Sequence, residues 1–170
     1  MKKVLLFLTC TLLAGNTIFA QANLKIAYIN SNVLLMSMPE KAKADSDIVK
    51  YTKSFQDQID MMMKEYQTKT QQYQANEKTM TDAIKEVKMK EIQDLQNRIE
   101  STQQSAQEKT QAKRQDLLSP ILEKADKAIK AVAKEKGYDF IFDVAAGGAL
   151  VFQKEEYDVT NLVKAKLGIK

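Results

Sequence analysis

The chain has 170 residues, with 26 Lys and Arg against 22 Asp and Glu, one Cys, and neither His nor Trp. That census excludes a His-based catalytic triad, a His-containing metal site, an intrachain disulfide and a Cys-rich zinc site. Five Gly, two Pro, 7% aromatic and 28% charged residues suit long solvated helices better than a loop-rich or all-β fold, and a net charge of +4 gives no argument for nucleic acid.

The first 22 residues read as a secretory signal peptide. Lys2-Lys3 is the positive start, Val4 to Leu13 is apolar apart from Thr9, Cys10 and Thr11, and Ala20-Gln21-Ala22 supplies small residues for cleavage. The cut is placed after Ala22, with Ala20 as the alternative. The apolar run is too short to span a membrane. A retained anchor or a lipid on Cys10 are the competing readings. Cys10 follows Phe7-Leu8-Thr9, which lacks the small residue that lipidation wants. Removing residues 1–22 takes the net charge from +4 to +2 and removes the only Cys. A thiol-free chain suits an oxidising compartment.

Leu24 to Ile29 reads as a strand rich in β-branched and aromatic residues. Ser31 is a candidate cap for a short helix over 32–37, and Pro39 suits the first turn of the next helix. From Glu40 to Ser119 there is neither Pro nor Gly, which predicts very long helix. Ile48, Tyr51 and Phe55 recur eleven residues later as Ile59, Met62 and Tyr66. That repeat describes a nearly straight helix. The second half carries Ile84, Val87, Ile92, Leu95, Ile99, Thr102 and Ala106. Thr79 to Asp82 offers a turn, with Thr81 as N-cap, so the run is read as a helical hairpin in which residue i faces about residue 161−i. A single straight rod is the alternative. Ser101 to Asp116 holds five Gln and only two apolar residues, Ala106 and Ala112, so this stretch should breathe easily.

Pro120 allows a kink or a fresh helix start. Ile121, Ala125, Ala128, Ile129 and Val132 form an apolar stripe that Gly137 ends. Tyr138 to Val144 alternates as a strand, Ala145 to Gly148 is a turn, and Ala149 to Gln153 is the expected return strand. Asp158 or Thr160 caps a last helix ending at Gly168. The fold class is therefore mainly α with a small β body, an α+β chain. Residues 23–39 and 120–170 form a discontinuous body, and 40–119 is an antiparallel helical-hairpin arm projecting from it. Such a small body has open sheet edges and a thin core, a physical reason to oligomerise.

The order of segments resembles the Skp/OmpH family of periplasmic chaperones. The resemblance rests on KIAYINSNVLLMSMPE, a polar helical hairpin, then PILEKADKAIKAVAKEKGYDFIFD, GGALVF and YDVTNLVKAKL. It covers essentially the whole chain after the signal peptide, and Pro120 to Leu167 is its most specific part. It implies a jellyfish-shaped homotrimer with a β-rich oligomerisation body and three arms enclosing a cavity. It also implies ATP-independent holding of unfolded outer-membrane proteins in the periplasm, with no cofactor. Members of this family are often strongly basic, whereas residues 40–119 here carry 14 basic and 14 acidic groups. No residue set for lipopolysaccharide binding carries over by position.

Several side chains are candidates for contact with a client. Met61-Met62-Met63 cannot all face one seam, because successive helix residues point ~100° apart. Met61 and Met63, with Met80, Met89, Tyr66 and Tyr73, are the candidates, since thioethers adapt to varied apolar partners. The bland reading is packing between the two helices, which suits Tyr66 best. Lys124, Lys127, Lys130 and Lys134 form a basic face that could touch acidic lipid or lipopolysaccharide. A solvated face near a helix C-terminus is the simpler reading. Glu155, Glu156 and Asp158 cluster without an electrophile, a metal-ligand set or a pocket expected around them, and Gly147-Gly148 has no phosphate-loop sequence after it. No catalytic, cofactor or metal residue is assigned. The expectation is an exported holdase, with a structural coiled-coil spacer or tether of the envelope as the alternative.

Overall fold

The structure, a computed structural model, describes residues 24–145, 147 and 150–169. The signal peptide expected over 1–22 lies outside the described residues. The β-branched run Ile26–Ile29 forms β1 and pairs in parallel with β2, Phe140–Asp143, so that Ile26 lies opposite Phe140 and Ile29 opposite Asp143. Hydrogen bonds extend the pairing at both ends. Asp139 N–H donates to the Lys25 carbonyl at 2.8 Å, and Val144 N–H donates to that of Ile29 at 2.9 Å.

Helix α1 covers Ser31–Met36. Its cap is Asn30, one residue before the expected Ser31, and the Asn30 side chain accepts from Val33 N–H at 3.1 Å. Ser31 N–H is instead taken by the Asp143 carboxylate at 3.1 Å, which ties the start of α1 to the end of β2. Burial pushes the Asp143 carboxyl up, but the hydrogen bonds from Ser31 and from Ala145 N–H outweigh it and leave it below its ordinary value.

Helix α2 runs Pro39–Asn76 and starts, as its Pro predicts, at the first helical position. A single 3₁₀ turn over Glu77–Thr79 ends it. Helix α3 then runs Asp82–Lys136 with Thr81 at its cap position, about 80 Å of unbroken helix. Pro120 neither stops nor restarts it. Gly137 closes α3 in the left-handed region at φ 66°, and Tyr138 N–H donates to the Ala133 carbonyl at 2.9 Å. Helix α4, Thr160–Lys166, is launched by Asp158, whose carboxylate accepts from Thr160 N–H at 2.7 Å. The Thr160 hydroxyl in turn accepts from Asn30 N–H at 3.2 Å.

These ties bring the two ends of the described chain onto one core. Ala27 and Ile29 of β1, Leu34 of α1, Met38, and Val159 and Val163 at α4 are buried together. The predicted stripe of α3 supplies Ile121, Ala125, Ala128 and Val132 to the same cluster. Strand β2 contributes Ile141 to its edge, while Phe140 and Phe142 point away and stack on each other at 6.4 Å.

The expected return strand is not formed. Ala149 lies outside the described residues, and 150–153 adopt no strand. Among the described residues β2 pairs with β1 alone, and 150–153 make no ladder hydrogen bond to its other edge. Without a ladder partner a short segment does not become a strand. Val151 and Phe152 stand exposed as a result, with relative exposures of 103% and 80%. The β component among the described residues is one two-stranded sheet.

Candidate functional site

Helices α2 and α3 lie side by side and antiparallel, and their contact changes character along the pair. Near the core, Ala44 is buried with Ile121 and Ala125, and Glu40 accepts a hydrogen bond from the Lys124 ammonium. Farther out, Met62, Leu95 and Ile99 form a second buried cluster, with Tyr66 half-buried against it. These are the partners that the 161−i register places together. The Thr102 hydroxyl also approaches the Met62 sulfur at 3.9 Å. Beyond this cluster, Lys69 of α2 makes an ion pair with Glu91 of α3 at 3.1 Å.

Between the two apolar clusters the seam opens. A cavity of about 530 Å³ separates Thr52, Phe55, Gln56 and Ile59 of α2 from Gln103, Ala106, Gln107, Thr110, Gln111 and Arg114 of α3. The cause is legible in side-chain type. Ala106 is the only aliphatic residue that α3 offers to this opening, and it is too short to fill the space opposite Phe55. The Gln-rich composition of 101–116 marked this stretch as weakly packed. It did not reveal that the glutamines line a groove.

The six client-contact candidates fall into separate places. Met61 is 66% exposed and Met63 40%, on either side of the buried Met62. Met89 is exposed at 58% on α3. Tyr66 belongs to the second apolar cluster. Tyr73 and Met80 are half-buried and share a smaller cavity near the turn with Asn76 and Ile92. Ile84 and Val87, expected in the seam, are exposed. Lys88 and Ile92 face Gln72, Tyr73 and Asn76 there, so α3 turns a different side toward α2.

The basic face is largely paired. Lys124 meets Glu40, Lys127 meets Glu123 at 2.6 Å, and Lys130 meets Asp126 at 2.8 Å. Among the described residues Lys134 makes no ion pair within 4.0 Å. The Lys124 ammonium, by its hydrogen bond, holds the Glu40 carboxyl below its ordinary value. Beside β1, a cavity of about 420 Å³ is walled by Leu24, Ile26, Tyr28, Leu150, Phe152 and Tyr157. Burial, then the charges of Asp158 and Glu155, raise the Tyr28 hydroxyl above its ordinary value. No group of three His, Cys, Asp or Glu among the described residues is placed to hold a metal ion. No helix among them is long and apolar enough to cross a membrane.

A family model described as "Outer membrane protein (OmpH-like)" matches residues 25–167. The chain belongs to the OmpH-like family. Two chaperone proteins named Skp are similar to it along most of their length. That of Pectobacterium atrosepticum is 23% identical over 146 residues, covering 86% of this chain and 88% of the relative. That of Photorhabdus laumondii is 24% identical over the same shares. An uncharacterized protein of Aquifex aeolicus is 26% identical over 161 residues, covering 95% of this chain and 94% of its own. The fold is shared with a crystal structure of a putative outer membrane chaperone (OmpH-like) from Caulobacter crescentus. The TM-score is 0.74 at 16% identity, covering 86% of this chain and 85% of that one. Membership of the OmpH-like family, with Skp chaperones among the similar proteins, supports a chaperone role.

Proposed function

We propose that this OmpH-like chain is an ATP-independent holdase of the periplasm, exported by residues 1–22. It binds unfolded outer-membrane proteins and keeps them from aggregating before insertion. The observation that carries the reading is the open, unevenly packed pair α2–α3. Its polar surface is interrupted by exposed Met61, Met63 and Met89 and by a cavity of about 530 Å³. Such walls make many weak contacts, which allow release without an energy source.

The working unit is a homotrimer in which 23–39 and 120–170 form the body and 40–119 the arm. Exposed Phe140, Phe142, Val151 and Phe152 give the body an apolar surface that self-association would cover. Contact with acidic lipid or lipopolysaccharide through Lys124, Lys127, Lys130 and Lys134 is weak, because three of the four ammonium groups already face a carboxylate. An envelope spacer would share the long helices and ignore unfolded clients.

The test is native mass spectrometry alone and with a urea-unfolded outer-membrane protein, alongside light scattering of that client after dilution. A trimer that takes up one client and suppresses scattering is expected. A monomer that leaves scattering unchanged overturns the reading.

A further inference from the structure

Gln103, Gln107 and Gln111 all line the opening between α2 and α3, at successive spacings of four residues on α3. Helical rise sets them about 6 Å apart. Along one edge of an extended peptide, backbone N–H and C=O groups recur every second residue, or about 6.7 Å. Each glutamine amide carries both a donor and an acceptor, the complement of that edge. Gln56, on the α2 wall of the same opening, has its amide bound to Asp60 at 2.8 Å. The amides of Gln103, Gln107 and Gln111 have no hydrogen-bond partner among the described residues. Phe55 and Ile59 face them from α2 and give the groove an apolar floor. Arg114 is the one charged residue in its lining and makes no ion pair within 4.0 Å among the described residues.

We infer that this groove holds an extended peptide segment by its backbone edge, with the glutamine ladder as the hydrogen-bonding rail. Side chains alternate along an extended segment, so apolar residues at every second position settle on Phe55 and Ile59. The unpaired Arg114 guanidinium makes the occupant one that carries a carboxylate at that end. From Gln103 to Gln111 the rail measures about 12 Å, enough for about four extended residues. The inference rests on the holdase reading and supplies its recognition mode. It reads backbone and alternation, not a particular sequence, as a chaperone of strand-forming clients requires.

The probe is a capped peptide of about eight residues alternating Val and Ser with one Asp, titrated into the full mature protein. A second peptide is N-methylated at alternate positions, which removes the donors of one edge. Tight binding of the first and at least about tenfold weaker binding of the second are expected, since several hydrogen bonds are lost together. Replacing Gln103, Gln107 and Gln111 by Ala removes the discrimination between the two peptides. Ala keeps helix propensity, and unchanged circular dichroism and native mass verify the fold. Arg114→Gln weakens the Asp peptide but not its Asn counterpart. Equal affinity of the wild-type protein for the parent and N-methylated peptides overturns the inference, as does an unchanged affinity of the triple variant. The two readings separate cleanly. If wild-type protein suppresses client scattering while the triple variant does so equally and shows the same peptide affinities, the groove fails and the holdase stands. If wild-type protein binds the peptide by its edge but leaves scattering unchanged, the groove stands and the holdase fails.

Discussion

Lys69 on α2 and Glu91 on α3 join the two long helices across a gap that no apolar cluster fills, with 3.1 Å between ammonium and carboxylate. Lys88 supports the same carboxylate at 3.2 Å, and Glu65 lies 3.9 Å from the Lys69 ammonium. The hydrogen bond from Lys69, and then that from Lys88, hold the Glu91 carboxyl below its ordinary value of 4.5. A carboxyl lowered on folding adds stability that is fully present above its unfolded value and is lost as pH falls through the folded one. Glu91→Gln is therefore expected to destabilise the distal part of the pair slightly at pH 7. The difference from wild type shrinks below about pH 4.5 and in high salt. Urea unfolding followed across pH and salt checks this, and a pH-independent difference would contradict it.

Leu34 and Leu95 sit in different cores, and truncating each should have a different reach. Leu34 is fully buried among β1, α3 and α4 contacts, so Leu34→Ala should cost about 3 kcal/mol and lower the global unfolding midpoint. Leu95 closes a cluster with only Met62, Ile99 and Tyr66 around it. Leu95→Ala should cost about 2 kcal/mol, read as local opening of the two helices more than as global unfolding. Chemical denaturation together with site-resolved hydrogen exchange separates the two effects.

Hydrogen exchange in the unaltered protein should follow the packing. Amides of 103–114 beside the cavity are expected to exchange faster than those of 121–132, although both lie on the one helix α3. Uniform protection along α3 would mean that the opening does not weaken it.

Exchanging the exposed methionines tests the client surface without touching the buried one. Met61→Gln with Met63→Gln should leave unfolding unchanged within about 0.5 kcal/mol, since neither side chain is core. The same pair should raise client scattering severalfold at limiting protein. Light scattering with a urea-unfolded outer-membrane protein measures it. Unchanged suppression would assign these methionines to bland surface.

Much of this was readable from residue pattern, and the failures share one origin. The breaker-free run from Glu40 to Ser119, the first-turn Pro39 and the left-handed Gly137 each act within a few residues, so they place α2, the turn and the end of α3 directly. The apolar stripe Ile121–Val132 reads as buried because helical periodicity is local too. What resisted reading depends on distant partners. Asn30 caps α1 through Val33 N–H, while the Ser31 N–H is held by Asp143, far along the chain. Residues 150–153 have strand composition but make no ladder hydrogen bond to the strand expected beside them, β2. Ile84 and Val87 are periodic with the seam but stay exposed, because Lys88 and Ile92 are what α3 turns toward α2 there. Pro120 carries its breaking tendency into a helix already held on both sides, by Leu117 and Ile121 against the core. The groove of Gln103, Gln107 and Gln111 was visible only as a shortage of apolar residues.

The parallel pairing of Ile26 with Phe140 has a consequence in time as well as in space. β1 lies near the start of the chain, yet its partner strand arrives more than a hundred residues later. Everything between is helix that needs only neighbouring residues to form, and helical contacts form early. Once α2 and α3 have zipped together, the distance between the two strands collapses from that of a long loop to that of a pre-closed one. The order of events is thus written into the connectivity. The small sheet, with Val159 and Val163 locking over it, is the last thing to close when a chain is delivered N-terminus first.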